Sequence, residues 1–90
     1  MSRNRDARSI DAIAARLRAT RDALQLKQAE FADAAGVKRS TYNQWEKAKG
    51  RPGLDDAIKL AEVHGLTLDW IYFGDASGLP VRLVGKIVLA

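Results

Sequence analysis

Apolar residues return along this chain at three- and four-residue steps, with polar residues between them and glycines at the breaks. Ile10, Ile13, Leu17 and Leu24 fall on one helical face, which predicts a first helix running to about Leu24. Ser9 stands where a hydroxyl accepts an orphan amide of the first turn, and Leu26 is placed to plug the corner that follows. A second helix starts near Lys27 or Gln28 and turns Phe31, Ala32 and Ala35 inward. Gly36 stops it, because glycine takes the left-handed conformation at a helix end without a Cβ penalty. Ala32 is small, as a close crossing of two steeply inclined helices requires. A third helix is predicted over 39–47, with Tyr42 and Trp45 on its inner side.

Lys49-Gly-Arg51-Pro52-Gly reads as a loop. A fourth helix follows over Leu54–His64, with Leu54, Ile58, Leu60, Ala61 and Val63 apolar and Gly65 as terminator. Thr67 caps a short fifth helix, Leu68–Phe73, in which Trp70 and Ile71 close the core and Tyr72 or Phe73 stays partly exposed. Past a loop at 75–80, the segment 81–90 is strongly apolar: Leu79, Leu83 and Ile87 suit a helix, while its valine and isoleucine content suits a strand. The prediction is an all-α domain of five helices over 10–74, preceded by a flexible basic arm at 1–9 and followed by an apolar tail at 75–90, strand or helix. No internal repeat is visible.

Charge adds direction to this plan. The net charge is +4, but residues 1–51 hold twelve basic side chains against six acidic ones, and 52–80 hold five acids against Lys59 alone. A basic half beside an acidic one is the footprint of a one-sided polyanion binder; an ordinary solvated surface is the bland alternative. At 100° per residue, Ser40, Asn43, Gln44 and Lys47 cluster on the side of the third helix opposite Tyr42 and Trp45, and Arg39 extends them into one polar stripe. Seen alone, such a stripe is a solvated helix face. Placed after a glycine hinge, it suits a polar, specific surface, and DNA base edges fit that description better than an enzyme substrate does.

Five elements occur in order at matching separations: Leu26-Lys-Gln28-Ala-Glu30-Phe-Ala32, Gly36-Val37, Tyr42-Asn-Gln-Trp45-Glu46, Lys49-Gly-Arg51-Pro52 and Leu68-Asp-Trp-Ile71-Tyr-Phe-Gly74. Together they resemble the phage-repressor type of helix-turn-helix, the Cro-like or XRE family, over about residues 10–74. The resemblance implies a five-helix domain with its third helix in the major groove of an operator, acting as a transcriptional regulator, in the first instance a repressor. It places Lys27 and Gln28 on the phosphate backbone, Arg39, Ser40 and Gln44 on base edges with Asn43 a further candidate, and Lys49 and Arg51 on neighbouring phosphates. It also pairs Arg21 with Glu46. Two alternatives share the motif: the antitoxin of a toxin–antitoxin pair, and an adaptor that bridges proteins.

The chain departs from the family pattern in three ways. Lys27 and Lys38 stand at two helix N-caps where serine or threonine is usual, and an ammonium cannot accept an amide hydrogen bond. Each lysine is expected to contact a phosphate instead. Ala48 replaces the common glycine, so the third helix is expected to run on. The large C-terminal domain of long repressors is expected to be absent.

Double-stranded DNA is therefore the expected partner, and a homodimer the expected assembly, with Val81, Leu83, Val84, Ile87 and Val88 as its apolar element; folding of that tail onto its own chain is the alternative. Arg3, Arg5 and Arg8 read as a non-specific tail more readily than as a minor-groove arm. No cysteine, apolar span or signal segment occurs, which suits the cytoplasm and no membrane. No catalytic or metal-ligand spacing is present either. No cofactor, small-molecule substrate or enzymatic activity is expected, and His64 reads as a local contact at the end of its helix.

Overall fold

A computed structural model describes residues 7–87. Among these, six helices and no strand are present: α1 (Ile10–Ala23), α2 (Gln28–Ala34), α3 (Arg39–Glu46), α4 (Leu54–His64), α5 (Leu68–Phe73) and α6 (Val81–Val84). The domain is all-α, as the spacing predicts. Local chemistry sets most boundaries. Ser9 Oγ accepts from the Ala12 amide at 3.0 Å and Thr67 Oγ1 from the Trp70 amide at 3.0 Å, satisfying donors that have no partner within their helices. At α2 only half of a capping box forms. The Glu30 carboxylate accepts from the Lys27 amide at 2.8 Å, and the Lys27 side chain returns nothing.

The core is one cluster fed by every helix. Ile13 and Leu17 of α1 meet Phe31 and Ala32 of α2, Tyr42 and Trp45 of α3, Ala57 and Leu60 of α4, and Trp70 and Ile71 of α5. Each large side chain withdrawn from water contributes about 1.5–3 kcal/mol. The aromatic rings meet at an incline, Phe31 on Tyr42 at 5.3 Å and Tyr42 on Trp45 at 5.7 Å, the arrangement their quadrupoles favour.

Of the apolar positions of α4, Leu54 and Val63 are exposed, whereas Ala57 and Leu60 are buried. Val63 lies about 120° round the helix from Ala57, so the two cannot share a buried stripe. Three expectations are corrected. His64 does not serve its own helix end: its ring stacks on Phe31 at 4.0 Å and its Nε2 lies 2.9 Å from the Phe31 carbonyl of α2. The third helix does not run on past Lys47. Ala48 adopts φ 59°, the Ala48 and Lys49 amides close onto the Trp45 and Gln44 carbonyls, and α3 ends at Glu46.

The third correction concerns the tail. Residues 81–84 are helical, and Leu79 and Leu83 are buried in the chain's own core, with Ile87 packed against it. Leu83 is thereby withdrawn from the surface. Val81 and Val84 stay exposed, and Val88 lies outside the described residues, as do Arg3 and Arg5.

Candidate nucleic-acid interface

Gly36 is the hinge of the site. It takes φ 72°, its amide bonds the Asp33 carbonyl at 3.0 Å, and the Val37 amide bonds the Ala32 carbonyl at 2.9 Å. These bonds satisfy the last carbonyls of α2 within a two-residue turn. Val37 then buries itself beneath the turn, and Ala32, wholly buried, stands where a longer side chain would separate the helices. Tyr42 and Trp45 hold α3 from within.

Its outer side keeps Arg39, Ser40, Gln44 and Lys47 exposed, with Asn43 half-buried. Around this stripe stand Lys27 and Lys38, exposed at the N-caps of α2 and α3 and making no side-chain cap bond. Lys49 and Arg51 are exposed in the loop after α3, and Arg51 Nη1 donates to the Arg8 carbonyl at 2.6 Å.

A buried carboxylate fixes the stripe in place. The Glu46 side chain, 2% exposed, accepts from Arg21 Nε at 2.7 Å, Arg21 Nη2 at 3.0 Å, Gln28 Nε2 at 2.9 Å and the Tyr42 hydroxyl. One side chain thus ties α1, α2 and α3 together. Burial by itself would raise the Glu46 carboxyl, but the bonds from Arg21, Tyr42 and Gln28 outweigh it and hold the group below the usual range. The same contact holds Arg21 above its ordinary value. Tyr42 is driven well above that of a free phenol by burial, and then by the Glu46 bond.

Two predicted contacts therefore stand differently than expected. Gln28 is half-buried, and its amide nitrogen is committed to Glu46. Arg39 is exposed yet paired, its Nε 3.0 Å from Asp33 Oδ1 and its Nη2 2.6 Å from Asp33 Oδ2. That bond depresses the Asp33 carboxyl and raises the Arg39 guanidinium.

Sequence reasoning missed three residues. Arg18 Nη1 donates to the Glu46 carbonyl at 2.6 Å, capping α3, and with Lys47 and Lys49 lines an open groove of about 600 Å³. Its spacing of three from Arg21 was a usable signal, since both share a helix face. Arg16 is 5% exposed, lies 5.8 Å from the Trp70 ring centre and donates to the Ile71 carbonyl at 2.9 Å. Burial lowers its proton affinity, and its position between Ile13 and Thr20 on the inner face of α1 was legible. Asp33 gave no signal, because its partner lies beyond the turn.

Two short helices joined at a glycine, the second locked from within and bare outside, define a helix-turn-helix. The helix-turn-helix family matches residues 17–71, and the chain belongs to it, in the XRE type that its motifs resemble. A protein of Haemophilus influenzae named "Uncharacterized HTH-type transcriptional regulator" is 38% identical over 45 residues. Those residues are 50% of this chain and 19% of that protein, so the chain spans about a fifth of the curated relative it matches. No solved structure matches. Among the described residues no acidic or histidine cluster could hold a metal ion, and no helix is long and apolar enough to cross a membrane.

Proposed function

We propose that this chain binds double-stranded DNA and regulates transcription, repressing by occupation of an operator. The observation that carries this is the outer surface of α3: Arg39, Ser40, Gln44 and Lys47 face solvent on a helix whose inner side is anchored by a wholly committed carboxylate. Such rigidity suits a surface that reads edges. Arg39 and Gln44 carry the groups that bond guanine and adenine edges, with Ser40 and Asn43 beside them. Lys27, Lys38, Lys49 and Arg51 surround the stripe with cations for phosphates and Lys47 adds a fifth, while Gln28 stands at the rim with its side-chain nitrogen held by Glu46.

A single recognition helix reads few base pairs. The functional unit is a symmetric dimer with α3 helices about 34 Å apart on a near-palindromic site. Selection of bound sequences from a random duplex pool tests this reading. A dyad motif is expected, with half-sites about one helical turn apart. Five cationic contacts per subunit predict a log–log salt slope near −4.5 for each subunit bound. Binding without preference among duplexes in dilute buffer defeats the regulator reading, and a flat salt response favours the protein-bridging adaptor.

A further inference from the structure

We propose that Asp33, at the end of α2, is a specificity-determining positioning residue: it grips one edge of the Arg39 guanidinium so that the opposite edge is presented to a guanine in the major groove. The inference rests on the DNA-binding reading above and goes beyond it by naming a base and the residue that selects it.

The pair is bidentate, with Nε on Oδ1 at 3.0 Å and Nη2 on Oδ2 at 2.6 Å, while both side chains stay largely open to solvent at 68% and 50% exposure. A guanidinium has five N–H donors, and this contact uses two of them. The remaining three lie on Nη1 and Nη2, along the end of the side chain. They form a second planar fork, whose direction is set once the first is held. Guanine offers two adjacent acceptors, O6 and N7, to such a fork. Adenine places an amino donor at one of those points, thymine offers one acceptor beside a methyl, and cytosine offers a donor.

The hinge supplies the stiffness. Gly36 and Val37 are bonded back to Asp33 and Ala32, so the carboxylate and the first residue of α3 keep a fixed relation without DNA. A long arginine ordered before binding loses less freedom on binding. Asp33 also carries negative charge toward a polyanion, so it weakens attraction to every duplex while sharpening the choice among them. A merely structural residue would not divide its effects in that way.

The test is selection from a random duplex pool with the full chain and its Arg39→Ala, Asp33→Ala and Asp33→Asn variants, alongside urea unfolding of each. Arg39→Ala identifies the guanine position. Asp33→Ala is expected to lower guanine preference there by about 5-fold or more, within the 5- to 150-fold that a bidentate contact supplies. Preference elsewhere, and the unfolding midpoint, stay unchanged, and average duplex affinity holds or rises. Asp33→Asn, with one acceptor oxygen in the same shape, falls between. Guanine preference in Asp33→Ala within about two-fold of the parent overturns the proposal, as does an Arg39→Ala motif that loses no guanine. Failure of the parent chain to select any duplex is a separate result and removes the DNA-binding reading itself.

Discussion

Glu46→Ala is the perturbation from which the structure predicts the largest loss. The carboxylate is 2% exposed and serves three partners from three helices. Truncation leaves the Tyr42 hydroxyl, on a wholly buried residue, without its acceptor, which costs about 1–3 kcal/mol. It also strands the Arg21 guanidinium, whose side chain is 16% exposed. That charge is not left entirely alone, since Arg21 Nη1 still donates to the Leu26 carbonyl at 3.0 Å and sits 3.7 Å from the Asp22 carboxylate. The sum falls at about 3–5 kcal/mol, as for other broken buried pairs.

Domains of this kind hold only about 5–15 kcal/mol in total, so the variant stands near the edge of folding. Urea titration followed by Trp45 and Trp70 fluorescence reads the loss, with Glu46→Gln, which keeps shape and one acceptor, expected between the two. Arg21→Met in the Glu46→Ala background should recover part of the stability, giving a coupling of about 1–3 kcal/mol. A Glu46→Ala cost below about 1 kcal/mol refutes the reasoning, because the pair would then be solvated.

The Glu46 carboxyl is held low in the fold, so on acidification the unfolded chain takes up the proton first. Stability is therefore full above the ordinary glutamate value of about 4.3 and is lost as pH falls from there through the lower folded value. Glu46→Gln should flatten that part of the urea-midpoint profile, and an unchanged acid loss would place its origin elsewhere. Ala48→Gly relieves an alanine held at φ 59° and is expected to add about 0.5–1 kcal/mol, a rise of a few degrees in Tm; a fall contradicts the assigned turn. Lys38→Ser supplies the missing cap on α3, raising stability by about 0.5–2 kcal/mol while lowering duplex affinity and reducing the salt slope by about 0.9. Greater stability with unchanged affinity would remove Lys38 from the phosphate contacts.

What could be read along the chain was whatever depends on residues three or four apart. The caps at Ser9 and Thr67, the stop at Gly36, the bounds of α4 and α5 and the inward side of α3 all follow from helical geometry and from amides that need a nearby acceptor. The Arg21–Glu46 pair was reached through the family resemblance, not through spacing, and so were the expected contacts of Gln28 and Arg39. Periodicity marked the apolar positions of α4 without saying which of them packing would bury. It left the tail open because the spacing of Leu79, Leu83 and Ile87 suits a helix while the tail's valines and isoleucine suit a strand.

Tertiary packing decided the rest. Gln28 lies 18 residues from Glu46 and Arg39 six from Asp33, distances at which no local rule assigns a partner. Ala48 takes a conformation its own side chain disfavours, closing α3 with Arg18 of α1 bonded to the final carbonyl. Leu79 and Leu83 became core because the five-helix body leaves an apolar face that only this chain's own tail covers in the structure. Hydrogen bonds and burial between distant segments are free energies of the assembled chain, and a linear sequence carries them only once it has folded.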